Sequence, residues 1–267
     1  MSNKTLWTAF LLVVLGSFAV LLFFGGEIYQ KKPPQPERVV TADGVTLFSG
    51  QEIRDGQNVW QSLGGQEVGS VWGHGAYVAP DWSADWLHRE ATFILDRFAA
   101  ESHGLTYGQL SAEQQAALQV RLQQELRRNT YDPATGELRV SSLRAEAIEA
   151  VSRHYAGLFM ADPALAKLRT AYAIPENSIK DPARARLLGA FFFWAAWASV
   201  TERPGEEVSY TQNWPPDELV GNRPAASLVL WTGFSVIVLI LGIALLAFYY
   251  AKQQGEGLEG HDFPDQD

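Results

Sequence analysis

Two stretches of the 267-residue chain carry no charge, Leu6 to Gly25 over 20 residues and Ala225 to Ala251 over 27. A helix rises about 1.5 Å per residue and the hydrocarbon core of a bilayer is about 30 Å thick, so each stretch is long enough to cross it. The first exceeds the apolar run of a signal peptide, about 7–15 residues, and GGEIYQKK makes a poor cleavage site. An uncleaved anchor and a second crossing are therefore expected, with both termini on one side. Lys4 precedes the first stretch while Lys31, Lys32 and Arg38 follow it; Arg223 precedes the second and Lys252 follows it. That distribution of basic residues assigns no side.

Residues 26–224 are polar overall and hold enough chain for one core. KKPPQPERVV is a proline-rich spacer, expected to be extended and to lift the domain off the membrane. Asp43-Gly44, between the β-type runs of VVTADGVTLFSG, predicts a hairpin. Ser49 and Glu52 fit a capping box that starts a helix to about Leu63, and Ser111 with Gln114 fits another. Behind the second, Leu118, Leu122 and Leu126 recur every four residues, and Arg127 and Arg128 suit the negative end of the helix dipole. Asp132 to Gly136 reads as a turn and GELRV as a short strand. Further helices are predicted over about 143–160, stopped by Asp162-Pro163, and over 164–173. Asp181-Pro182 opens a last one, reaching about Thr201.

The core of that last helix, LLGAFFFWAAWASV (187–200), is apolar on every side. At about 21 Å it is too short to span, so it is expected to be buried against a membrane partner; the alternative lays it at the membrane surface with Trp194 and Trp197 at headgroup level. Only QQGEGLEGHDFPDQD at the carboxyl end reads as disordered tail. The pattern as a whole predicts a mainly α chain: an anchor over 1–25, a domain with a small β element over 26–224, a second transmembrane helix over 225–251 and a tail over 252–267.

A formal net charge of −9 offers no basic face for phosphates and argues against nucleic acid as a partner. The absence of cysteine excludes disulfides and thiolate ligands. Of the histidines at 74, 88, 103, 154 and 261, no two share a helix face at i, i+4 spacing. His74 and His88 flank a glycine-rich run; two imidazoles can ligate a haem, but as single residues they read as a loop histidine and a packed one. No G-x-S-x-G, Walker A or complete dinucleotide fingerprint is present. Asp81, Asp85 and Glu90 are too close in sequence to face each other across a sugar, and suit a helix start with Asp81 or Ser83 as cap. These residues alone assemble no reaction.

One region is recognisable. GQNVWQSLGGQEVGSVWGHGAYVAPDW (56–82) resembles the haem-attachment region of the small cytochrome c subunit of two-subunit nitric oxide reductases, where a G-x-x-x-W helix runs into C-x-x-C-H and then a G-x-G-A-Y-x-A-P loop. Gly56 and Trp60 match the helix, and Gly73, Gly75, Ala76, Tyr77, Ala79 and Pro80 match the loop. The attachment positions read Gly65-Gln66-Glu67-Val68-Gly69: Gly65 and Val68 replace the cysteines and Gly69 the axial histidine. Covalent haem needs two thiols and iron needs the imidazole, so no covalently bound cofactor is expected. Together with SYTQNWPPDELVGNRP (209–224), the chain looks like the N-terminal part of the single-chain, quinol-dependent nitric oxide reductases.

The resemblance implies a haemless cytochrome c-like domain on the periplasmic side of a bacterial inner membrane, with both termini cytoplasmic. Lys31 and Lys32 then lie outside, against the usual bias. It also implies a partner, a polytopic core carrying haem b, haem b3 and a non-haem iron, which reduces 2 NO to N2O and water with electrons from quinol. That core's iron-ligating histidines are not among these residues, so the expected chain is the N-terminal part of a longer protein or a split subunit, without a catalytic centre of its own. In such enzymes backbone oxygens at the positions of Gly75 and Tyr77 contribute to an interfacial calcium, a cation that accepts carbonyls readily. Trp72, Trp82 and Trp86 are expected as buried interface anchors. Two other readings stay open: a non-enzymatic membrane scaffold or sensor, and a protein holding haem noncovalently through His74 or His88.

Overall fold

The computed structural model describes residues 3–259 apart from residues 74, 76 and 77. It divides into two units, Met1–Arg223 and Pro224–Asp267. The first begins with α1 (Asn3–Lys31), whose described apolar side chains are nearly all exposed. The helix runs six residues past the expected Gly25 boundary, and Lys31 closes it with ion pairs to Glu27 (3.1 Å) and Glu206 (3.7 Å).

The proline-rich segment that follows is not a free spacer. Pro36 is buried, the Pro34 carbonyl accepts from Trp194 Nε1 (3.0 Å), and Glu37 exchanges backbone bonds with Gly136 (2.8 Å) and Gly50 (2.7 Å). Its carbonyls are satisfied by the domain, which holds it more firmly than solvated polyproline would be.

It leads into the predicted hairpin, β1 (Arg38–Thr41) and β2 (Thr46–Ser49), and then α2 (Gly50–Ser62), opened by the Ser49/Glu52 box (3.2 and 2.7 Å). A 3-10 turn over Gly65–Val68 precedes α3 (Trp82–His103), and α4 (Ala112–Arg127) starts from the Ser111/Gln114 box and buries Leu118, Leu122 and Leu126. Then come β3 (Tyr131–Asp132), β4 (Glu137–Val140), α5 (Ser142–Phe159), a short turn at Pro163–Leu165, α6 (Ala166–Ala171), and α7 (Pro182–Val200) capped by Asp181. The strands form one small sheet in the order β2-β1-β4-β3, with β1 and β4 parallel. The hairpin was legible locally; its pairing with β4, about a hundred residues on, was not.

The helix α7 overturns one expectation. Thirteen of its nineteen residues are buried, and what buries them is the domain itself: α2, α3, α4 and α5 pack around it. A helix apolar on all sides must be covered on all sides. Here the chain supplies the cover, so α7 is the central post of the domain and not a surface awaiting a membrane partner. Gly56 of α2 makes the closest approach: a Cβ there would lie 2.0 Å from the carbonyl oxygen of Leu187 and 2.8 Å from Phe191 Cβ.

Inside this core sits a buried ion pair. Arg144 Nε meets Glu90 Oε1 at 2.7 Å, and Trp86 Nε1 donates to Glu90 Oε2 at 3.0 Å. Nearby, Asp85 accepts from Arg89 Nε (2.8 Å) and from the Tyr155 hydroxyl (2.6 Å). Burial, with the Asp85 carboxylate beside it, holds the Tyr155 phenol well above its ordinary range.

The second unit is a single helix, α8 (Ala226–Glu259). Its helical backbone passes the expected end at Ala251, so the first residues read as disordered tail continue the helix; once nucleated, a helix gains a bond for each residue added. The helices over Asn3–Lys31 and Val229–Gln253 are long and apolar enough to cross a membrane. The molecule is thus mainly helical with a small sheet, two apolar helices flanking one domain.

Candidate functional site

The loop that joins α2 to α3 is organised around one carboxylate. Asp81 caps α3, accepting from the Ala84 N–H (3.0 Å) and the Ser83 hydroxyl through Oδ1. Its Oδ2 accepts from the Ser70 hydroxyl (2.7 Å) and the Gly73 N–H (2.7 Å). Ser70 in turn accepts from the Gly75 N–H (2.7 Å), and its carbonyl accepts from Trp82 N–H (2.8 Å). Charge-assisted bonds of this kind are roughly twice as strong as neutral ones, so the described part of the loop is tied down before any partner arrives. The sequence offered Asp81 or Ser83 as the cap, and Asp81 fills that place; that it also gathers Ser70 and Gly73 was not readable, because Ser hydroxyls and Gly N–H groups carry no such label.

Two tryptophans outside the loop's centre complete it. Trp214 Nε1 donates to the Gly73 carbonyl (2.9 Å), and Trp72 Nε1 donates to the Ala195 carbonyl of α7 (2.8 Å) while its ring lies 5.3 Å from that of Trp194. Trp214 belongs to the SYTQNWPPDELVGNRP segment singled out for its resemblance, which was the available signal for its role.

The three attachment positions fall in different surroundings. Gly65 faces open space and Val68 is half-buried. Gly69 is buried with φ +124°, and a Cβ there would meet Trp82 Nε1 at 2.3 Å and Cε2 at 2.6 Å, with the Pro80 carbonyl at 2.8 Å. A side chain at 69 therefore has no space beside Trp82. That indole is fully buried, stacked on Phe192 (5.4 Å, 16°) and edge-on to Tyr155, Phe159 and Tyr172. Trp86 stacks on the other side of the cluster against Tyr155 (5.4 Å, 2°).

This corrects the expectation for two of the three predicted anchors. Trp82 and Trp86 are 0% exposed within the domain's own core and present nothing to a partner; the half-buried Trp72 packs on α7. The size and apolarity of an indole predict that it is buried, not against what.

Of the remaining predicted residues, Gly75 has φ +82°, with its N–H bonded to Ser70. Tyr77, Ala76 and His74 lie outside the described residues. His88 is largely exposed and pairs through Nδ1 with Asp217 (3.1 Å). Among the described residues no three His, Asp or Glu side chains come together as a metal site.

No curated protein matches the chain. The family model for the cytochrome c-like domain of NorB, a nitric oxide reductase component, matches residues 36–216, about two thirds of the chain and the whole of the hairpin, helical core and capped loop. The chain belongs to the NorB cytochrome c-like family of nitric oxide reductase domains.

Proposed function

We propose that this chain is the haem-free, membrane-anchored cytochrome-like part of a quinol-dependent nitric oxide reductase. In this reading it seats on a polytopic core that holds haem b, haem b3 and non-haem iron, and it is not catalytic alone. Its domain stands on the periplasmic side of the inner membrane, with both termini cytoplasmic. The observation that carries the proposal is at Gly69. A c-type haem needs two thiols and an axial ligand, the chain has no cysteine, and Trp82 occupies the space a side chain at 69 would take. The donor set does not fit the group.

The domain then offers no relay to a soluble electron donor, and reductant has to enter from the lipid phase. The domain's part is to hold its loop and aromatic core rigid against the catalytic core. Assaying the purified complex for NO reduction tests this: a quinol should support turnover, and reduced soluble cytochrome c should support little. Comparable rates with the two donors would overturn the reading.

The interfacial calcium belongs to the same proposal. Backbone oxygens of Gly75 and Tyr77 would be its ligands from this chain. Calcium takes carbonyl oxygens without strict geometry, and the left-handed backbone at Gly75 (φ +82°) favours glycine, a Cβ there making a tight 3.0 Å contact with the Ala79 carbonyl oxygen. Both oxygens of the nearby Asp81 are already engaged, so the carboxylate has to come from the partner. Metal analysis of the complex should find about one calcium per chain, and Tyr77→Pro, which alters the backbone at one ligand, should lower it. A variant that assembles and retains its full calcium would count against the site.

A further inference from the structure

A second surface feature has no place in that account. Between the last turns of α4, the end of β4 and the first turn of α5 lies a cleft of about 770 Å³, within the range of small-molecule sites. Arginine dominates its charge. Arg121, Arg128, Arg139 and Arg144 line it against a single acid, Glu125, in a chain that carries 30 acidic and 21 basic residues.

These guanidinium groups are incompletely used. Among the described residues, Arg128 makes no hydrogen bond or ion pair. Arg139 reaches only Glu137 on its own strand (2.9 Å), and Arg121 lies over the Phe98 ring (3.8 Å) with a long contact to Glu101 (3.4 Å). Arg144 is the most telling. It is 2% exposed, gives Nε to Glu90, and leaves its buried Nη2 without an acceptor. A buried donor left unpaired costs about 1–3 kcal/mol, so the Arg144 guanidinium is not fully neutralised by hydrogen bonds within the domain. Ser141 and Arg144 also place the start of the 18-residue α5 at the cleft, adding the positive end of its dipole. Glu125 offsets part of this field, its carboxylate held by the Ser141 hydroxyl (2.6 Å).

We propose that this cleft binds a small, multiply charged oxyanion, one carrying phosphate or carboxylate groups. Planar guanidinium forks match both chemistries, while a cationic ligand would be repelled by the four arginines.

The test is isothermal titration of the full chain in a neutral detergent, with pyrophosphate and citrate as probes. Saturable binding of about one equivalent of either probe is expected, weakened about tenfold or more in the double variant Arg128→Ala, Arg139→Ala. Both side chains are exposed, so folding is not at stake. Arg153→Ala, an exposed arginine of α5 that does not line the cleft, should bind as the parent does. Binding of pyrophosphate alone assigns a phosphate ligand, and of citrate alone a polycarboxylate. Binding of neither probe, undiminished binding by the double variant, or equal loss in the Arg153 variant overturns the proposal.

Discussion

Replacing Gly56 by alanine is expected to destabilise the domain by about 3 kcal/mol or more, enough to lose cooperative folding in a marginally stable unit. The added Cβ would lie 2.0 Å from the Leu187 carbonyl oxygen and 2.8 Å from both the Leu187 carbonyl carbon and Phe191 Cβ. The first two are backbone atoms of the central helix, so no rotamer change relieves the overlap. The helices α2 and α7 have to part, and Phe48, Trp60 and the rings packed on Phe191 and Phe193 lose contact with them. Alanine gains about 1 kcal/mol over glycine in a helix interior, which is too little to reverse the sign. Gly189→Ala is the control: its Cβ would meet mainly the Ser152 side chain, at 3.1 Å, and the hydroxyl can turn away. Urea midpoints read from tryptophan fluorescence should separate the two variants clearly. Equal midpoints for Gly56→Ala and the parent would mean that the α2–α7 contact is looser than described.

The second large effect is expected from rebuilding the attachment sequence, with Gly65→Cys, Val68→Cys and Gly69→His introduced together. Chemistry then supplies both thiols and an imidazole, yet the variant should not mature with haem while Trp82 is present. Position 69 requires φ +124°, and the new side chain would start 2.3 Å from the Trp82 indole nitrogen. Moving that indole means breaking into a cluster of five aromatic rings, and removing a fully buried tryptophan typically costs about 3–5 kcal/mol. Expression with a cytochrome c maturation system, followed by haem staining, reads the outcome. A folded triple variant carrying covalent haem with Trp82 intact would show that the core is far more compliant than its packing implies.

The boundary between what was legible and what was not follows the range of the interactions. Capping is local: Ser49 with Glu52, Ser111 with Gln114 and Asp181 before Pro182 each sit within four residues, and each predicted helix start is found there. The leucine stripe at 118, 122 and 126 is likewise set by one helix's own period and is buried. Long-range choices were not written in any single segment. The run FFFWAAW announces burial, but the same composition would serve a membrane partner or the domain interior, and only the helices around it decide. The sheet shows the same limit, since Arg38 to Thr41 reads equally well as half of a hairpin or as the neighbour of Glu137 to Val140. At the loop, the missing thiols were plain from the sequence, whereas the tryptophan filling the space beside Gly69 lies thirteen residues further on and only the fold brings it there.

The position of α7 also sets an order of events in synthesis. The helix on which α2, α3 and α5 close is the last helix of the domain in the chain, at Pro182–Val200. Until it emerges, Trp82, Trp86 and Tyr155 can pack on one another but lack Phe192 and Phe193 of α7, contacts that span more than a hundred residues from Trp82 and Trp86. Such a topology completes its core late, leaving the apolar surface that α7 covers exposed on the nascent segment until then. The domain cannot finish its core without its own last helix.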